Sequence, residues 1–405
     1  MPFRYRTRFR FTCECRMTPQ MIILSGIAAT PRDGTGRLLR ELARERDTKG
    51  LDVQFIFLAN RANIVRSRLF QTPFLVGWEI LRHLTRRFSR HMLAWRRAII
   101  LAPRVMVIHP QEMGMRWLDN LISRRGRSGM VTELFVLDAS FFCIRSYNHL
   151  DGEAGACLLC LRDGPAAAKR HHCRPFPISD PWATTFVCRL RDHARSGRVA
   201  FWTQTDGYRK LIEQFAEGPV KARVVGLWTD DFNDLEVRFP DVPPVADVVY
   251  HGSWHDAKGA NWALSLAEAM PERTFLFPCR KPSDVAAPAN AVFRAMSWDN
   301  GLAEQVQAVP LCLVPSLWTA PIEGALVKSI AHAPATAVVA EPFTFQEQLP
   351  DGLVLRLTAD VNLAAAMLRR NESWRPDPAL RDSWIKSFTA ANVNILEKLM
   401  ETSFG

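Results

Sequence analysis

The chain has 405 residues, 48% hydrophobic and 23% charged, with a formal net charge of +11. That length accommodates two core-bearing domains with room for a third, and the composition excludes wholesale disorder. No uninterrupted apolar run is long enough to span a bilayer, and the basic balance favours acidic partners: phosphates, nucleotide diphosphates, nucleic acid or an anionic membrane face.

The first sixteen residues, MPFRYRTRFRFTCECR, are basic and aromatic but lack the apolar stretch of a secretory signal. Residues 1–20 read as a disordered arm or an artefact of start-codon choice, with a nucleic-acid-binding arm as the alternative. Nine cysteines without a signal sequence suggest a reducing cytosol, hence a cytoplasmic protein.

Met21 to Ser25 reads as a strand that runs into a loop punctuated by Gly26, Gly34 and Gly36, with a helix from near Arg37. Asp52 to Leu58, Arg104 to His109 and Thr132 to Leu137 read as further strands. Between two of them, Val76 to Ile100 patterns as a basic amphipathic helix. Trp78, Leu81, Leu84, Phe88, Met92, Trp95 and Ile99 recur at helical spacing, and arginines supply the opposite side. It is either a core helix with a solvated arginine face or a helix resting on an anionic membrane, at the inner face of the plasma membrane.

Residues 139–190 break the rhythm and hold most of the informative cysteines. Arg198 to Thr203 resumes it, followed by a helix over Asp206 to Ala216 with Thr205 or Asp206 as its N-cap. Phe239-Pro240-Asp241-Val242-Pro243-Pro244 reads as an interdomain hinge. A second set follows: strands at Val248 to His251, Thr274 to Pro278, Pro310 to Pro315, Ala337 to Ala340 and Leu353 to Leu357, and a helix over Ala260 to Met270. A last helix, about Asp377 to Met400, is placed to return to the first domain. Strands alternating with helices imply an α/β fold with parallel sheets. The expected organisation is a first domain over 21–240 with a Cys-rich insertion at 139–190, a second over 245–375, and a C-terminal helix over 376–405.

Ligands of such sheets sit at the carboxyl ends of the strands. Two segments of the second half fit an anion there. His251 to Gly259 (HGSWHDAKG) brings Lys258 to the mouth of a helix, where an ammonium and backbone amides can share a diphosphate's charge. Leu313 to Ala340 carries a strand, a loop with Trp318 and Pro321, and a helix from about Gly324. In the first half, His109 and Asp138 end adjacent strands, where each is a strand-end cap or a group that orients or deprotonates an acceptor hydroxyl.

These segments resemble the donor domain of family-four-like retaining glycosyltransferases, which have two Rossmann-like domains facing a central cleft (the GT-B fold). Gly252 to Gly259 is similar to that family's glycine-arginine, four residues, lysine-glycine segment, with Ser253 in place of the arginine. Leu313 to Ala331 resembles the segment carrying two glutamates eight positions apart; aligned on Pro315-Ser316-Leu317-Trp318 and Pro321, those positions are Ala320 and Lys328, and Glu323 is the only carboxylate in the loop. The resemblance implies sugar transfer from a nucleotide-diphosphate sugar, with retention of configuration and without an essential divalent metal. It implies Glu323, Asp138 and His109 as catalytic candidates. Ser253, Lys258, Gly259, Trp318, Glu323, Gly324, Ala325 and Lys328 are implied on the donor, and Gly34, Thr35 and Gly36 on the acceptor loop. The acceptor would be a glycan, a lipid-linked glycan of the cell-envelope polysaccharide kind, or a small molecule.

Cys157 and Cys160 form CLLC, with Cys143 fourteen residues before and Cys173 thirteen residues after. Four thiolates from one irregular segment suit a structural zinc site, with His171 and His172 in reserve. An iron–sulfur cluster and buried unliganded thiols are the alternatives. The missing family acids motivate a different reading, a catalytically inert relative that binds or scaffolds. Basic charge with cysteines motivates another, a zinc-containing nucleic-acid-binding protein, although no RNA-binding motif interleaves the arginines.

Overall fold

The computed structural model describes residues 19–57 and 97–404, residues 32 and 178 excepted. The arm over 1–18 and the basic helix up to residue 96 lie outside the described residues. Twelve strands among the described residues form two six-stranded sheets, every pairing parallel. In the first half these are β1 (Met21–Ser25), β2 (Val53–Phe57), β3 (Arg104–Ile108), β4 (Thr132–Phe135), β5 (Val199–Thr203) and β6 (Ala222–Val224), in the order β2-β1-β3-β4-β5-β6. In the second they are β7 (Val248–Tyr250), β8 (Phe275–Phe277), β9 (Ala291–Phe293), β10 (Leu311–Val314), β11 (Thr336–Val339) and β12 (Leu355–Leu357), in the order β12-β11-β10-β7-β8-β9. In each sheet the order reverses beside the first strand, which opens a crevice at the strands' carboxyl ends.

The central strands β1, β4, β5, β7, β10 and β11 are buried along their whole length, as parallel strands covered on both faces must be. Their apolar runs gave them away. The short edge strands β6 and β9 are partly exposed and carry no such run.

Helices cover the faces. Those that place the site are α1 (Gly34–Lys49), α2 (Met115–Arg127), α3 (Ala183–Arg195), α4 (Asp206–Ala216), α5 (Ala260–Ala269), α6 (Gly324–His332), α7 (Pro378–Asn392) and α8 (Ile395–Glu401). Thr205 caps α4, its hydroxyl accepting from the Tyr208 N–H at 3.3 Å. The single C-terminal helix expected over 377–400 is two helices, because Asn394 turns the chain in the left-handed region, φ 56°. The α8 helix packs on α1. The Glu45 carboxylate accepts from the N–H groups of Leu396 and Glu397 at 2.9 and 2.8 Å, capping its first turn.

The irregular segment ends at α3, so residues 183–190 belong to the layer over the first sheet. Earlier in it, residues 147–156 reach across to the second half. His149 Nε2 and the Gly152 N–H meet the Asp256 carboxylate at 3.1 and 3.0 Å, and the Ala156 N–H donates to Glu341 at 2.9 Å. The buried Asn148 Oδ1 accepts from the N–H and hydroxyl of Thr319 at 3.1 and 2.8 Å. No helix among the described residues is long and apolar enough to cross a membrane.

Candidate active site

The carboxyl ends of the two sheets face one another across a cleft of about 760 Å³. The loop after β1 enters α1 through Asp33, whose carboxylate caps the helix by accepting from the Gly36 N–H at 2.7 Å. Gly34 and Thr35 line the cleft. Gly36 does not: a Cβ there would stand 2.5 Å from the Thr30 carbonyl oxygen, so it is required for packing behind the wall. His109 leaves β3 in the left-handed region, φ 56° and ψ 69°, and lines the cleft with its Nδ1 buried and unpartnered among the described residues. Such backbone strain in a non-glycine residue concentrates at functional sites. Asp138 lines the cleft and also caps the turn at Ala139–Phe141, accepting from the Ser140 N–H at 2.9 Å and from Gln111 Nε2 at 3.2 Å.

From the second half, Ser253, Lys258, Trp318, Glu323, Gly324, Ala325 and Lys328 line the same cleft. Gly259, φ 73°, does not; its absent side chain makes room for the Pro315 carbonyl, 2.0 Å from where a Cβ would sit. Ala320 is buried beside Trp318 and Ala257, away from the cleft. The Glu323 carboxylate precedes α6 without capping it. It accepts instead from Lys258 Nζ at 2.6 Å and from Ser316 Oγ at 2.8 Å. Lys258 Nζ lies over the rings of Trp318 and Tyr147, 4.9 and 5.4 Å from their centroids. Burial pushes the Tyr147 hydroxyl up, with Lys258 opposing.

Lys328 Nζ pairs with Asp231 at 2.8 Å and lies 4.6 Å over Trp298. Asp231 also pairs with Arg37, in the first turn of α1. One carboxylate between the halves thus joins a cation from each. Beneath, His251 stacks on Trp298, the rings 5.4 Å apart and 6° from parallel, and shares a hydrogen bond with Ser329 Oγ at 2.9 Å. Burial, then the charges of Lys328 and His332, push its pKa down to about 3, so it is neutral.

Arg37, Lys258 and Lys328 therefore face Asp33, Asp138, Asp231 and Glu323 across the lining, one more carboxylate than cations. The three cations all have carboxylate partners, so an incoming anion would exchange with a carboxylate rather than meet a bare charge. The first N–H groups of α6, at Gly324 and Ala325, add donors that a helix leaves unpaired. Sequence reasoning missed Arg37, Tyr147, Asp231, His251 and Gln204 on this lining. Arg37 and His251 had a signal, Arg37 as the first residue after the flagged Gly34 to Gly36 and His251 as the head of the flagged segment to Gly259.

The zinc expectation is corrected. Among the described residues no group of three or more His, Cys, Asp or Glu side chains is arranged to hold a metal ion. Cys143, Cys157, Cys160 and Cys173 lie close enough to influence one another electrostatically. Yet Cys143 and Cys160 are buried in the apolar layer around Phe142, Leu161 and Val187, with Cys173 packed against it. Burial pushes the Cys143 thiol well up and that of Cys160 to about 11.

No protein-family model matches the chain, and no curated protein matches it at a significant level. Solved structures do. A sucrose-phosphate synthase from Thermosynechococcus elongatus superposes with a TM-score of 0.55 at 14% identity, over 94% of this chain and 98% of that one. A UDP-forming α,α-trehalose-phosphate synthase from Burkholderia vietnamiensis gives 0.54 at 11% identity, over 95% and 98%. Anabaena HepE, in complex with UDP and glucose, gives 0.54 at 10% identity, over 94% and 100%. The chain has the two-domain GT-B fold. At these identities the likeness speaks for architecture, and the chemistry has to be argued from the cleft.

Proposed function

We propose that the chain is a glycosyltransferase that binds a nucleotide-diphosphate sugar in the interdomain cleft and transfers the sugar to a glycan or lipid-linked acceptor. The observation that carries this is the convergence of Lys258, Lys328 and the start of α6 on one cleft of a GT-B chain. Two solved structures of this fold are described as complexes with UDP or a UDP-sugar.

In this reading the diphosphate takes the place of Glu323 on Lys258 and of Asp231 on Lys328, and lies on the N–H groups of Gly324 and Ala325. The freed Glu323 faces the sugar. The acceptor hydroxyl enters from the first domain, beside Gly34, Thr35, His109 and Asp138, which orient it. The bond from the anomeric carbon to the diphosphate oxygen breaks, the acceptor oxygen bonds to that carbon, and the hydroxyl proton passes to the departing diphosphate. Attack on the face the diphosphate leaves retains configuration, as the resemblance to the family-four-like enzymes implies. Contact of the basic segment 76–100 with an anionic membrane belongs to the same proposal and rests on its sequence alone.

The test is a thermal-shift screen of nucleotide sugars, since a ligand of the folded state raises its stability, followed by donor hydrolysis and transfer assays. No stabilisation by any nucleotide sugar would overturn the proposal. A second reading follows from the carboxylate pairing of all three cations and the burial of Ala320: an inert relative that binds without turnover. Stabilisation by a nucleotide sugar, with neither hydrolysis nor transfer, would decide for it.

A further inference from the structure

A second cavity, of about 610 Å³, adjoins the cleft on the flank where the ends of β5 and β6 meet α7. Gln204 and Ile322 line both spaces, so they form the wall between them. Its lining differs from that of the cleft. Trp384, partly exposed, supplies aromatic surface and stacks on Phe388 with centroids 5.2 Å apart, backed by the buried rings of Trp202 and Phe345. Ser387 and Asn392 add short polar groups, and Arg223 and Lys398 add charge. Among the described lining residues none is a carboxylate.

Gln204 makes the connection chemically specific. It is 6% exposed, and its amide nitrogen donates to the Val136 carbonyl at 3.1 Å. Its Oε1 is buried with no partner among the described residues. Buried acceptors are normally satisfied, and one left alone is costly. A ligand hydroxyl passing from the cleft into the flank is a donor of the right kind. Few ligand classes want aromatic surface, short polar side chains and a lone buried acceptor together. A pyranose, with C–H groups on its faces and hydroxyls around its rim, is one.

We propose that this flank cavity binds the distal units of a saccharide whose proximal unit lies in the cleft, with Gln204 accepting from a hydroxyl where the chain crosses. The proposal rests on the glycosyltransferase reading for what occupies the cleft. With Arg223 and Lys398 on the lining and no carboxylate, the cavity accepts neutral distal units and favours acidic ones.

The experiment uses the full chain with two probes: UDP, and a printed array of neutral and acidic glycans of one to six units. Wild type is compared with Trp384→Ala, which removes aromatic surface, and with Ser387→Trp, which fills the cavity from an exposed helix position. Both sites lie outside the cleft. Glycans of two or more units are expected to bind wild type at least tenfold better than single units. Both variants should lose that preference while UDP affinity stays within twofold. A folded wild type that binds no glycan longer than one unit overturns the proposal, as does a length preference that survives in both variants. The UDP arm separates the two readings. Loss of UDP binding by wild type would count against the nucleotide-sugar assignment, whereas UDP binding without length preference would count against the flank subsite alone.

Discussion

Replacing Asn148 by alanine tests how the irregular segment is tied to the second domain. Asn148 is fully buried. Its Oδ1 holds the N–H and hydroxyl of Thr319, and its Nδ2 donates to the Cys157 carbonyl at 3.1 Å. The Thr319 hydroxyl keeps a second neighbour in the Tyr208 hydroxyl, 3.4 Å away. The substitution therefore strands one fully buried backbone group, the Thr319 N–H, and leaves the partly exposed Cys157 carbonyl to water. For that buried group the expected loss is about 1–3 kcal/mol, against a total stability of roughly 5–15 kcal/mol for folded proteins. Equilibrium urea unfolding followed by tryptophan fluorescence reads it directly. The same variant should weaken UDP binding, because Thr319 adjoins Trp318 under Lys258. A loss below about 1 kcal/mol would refute the reasoning, since no arrangement with that group buried and unpaired is that mild.

Lys258→Met should weaken UDP binding at least tenfold, read by calorimetry. Glu323→Gln frees Lys258 and should tighten UDP binding while abolishing transfer; weaker binding in that variant would contradict the proposed exchange. The buried histidines predict a pH dependence. Burial, with Lys328 and His332 adding charge, holds His251 down to about 3, and burial first holds His332 down to about 4. Folding thus favours their neutral forms, so this stability is complete above about pH 6.5 and is lost as pH falls below it, by up to about 1.4 kcal/mol per unit for each histidine. Urea midpoints at pH 7.5 and 5.5 should differ in wild type and less so in His251→Asn; equal pH dependence in both would exclude His251 as a source. Arg125, fully buried, donates to the carbonyls of Ile99, Ile100, Ala102 and Val131, and burial lowers its pKa to about 10. Arg125→Met should cost about 2–6 kcal/mol through the two buried carbonyls it strands, those of Ile99 and Ala102, measured by urea unfolding; a change under about 1 kcal/mol would show that water reaches them.

The strands of both sheet centres were legible because burial on both faces forces uninterrupted apolar runs such as Met21–Ser25 and Leu311–Val314. The residues of β6 and β9 are three-residue edge strands, too short and too exposed to show a pattern. Asn394 broke the last helix by a local conformation that periodicity does not encode. In the cleft, Lys258 and Glu323 could be found because strand-to-helix junctions put them at carboxyl ends, and Lys328 because the family resemblance marked its position. Asp231 and Tyr147 come from irregular segments whose position is set by long-range contacts, so no local signal marked them. Gly36 and Gly259 were expected to face the acceptor and the donor, but neither lines the cleft; the atoms that need their space are the carbonyls of Thr30 and Pro315. The cysteine spacing was real, yet spacing does not fix which way a side chain points, and apolar packing took two of the four thiols.

The α8 helix has a consequence for synthesis. Leu396 and Leu399 are fully buried in the same apolar cluster as Leu38, Leu39 and Met21, Arg104 donates to the Met400 carbonyl at 3.2 Å, and Phe404 packs edge-on to Trp202. The sheet formed earliest in the sequence is thus covered by residues far downstream of it. On the ribosome, the first domain would wait with α1 and one face of β5 uncovered until residues 395–404 leave the exit tunnel, so a stalled chain lacking them should expose that surface to chaperones. This arrangement couples completion of the first domain's core to synthesis of the second.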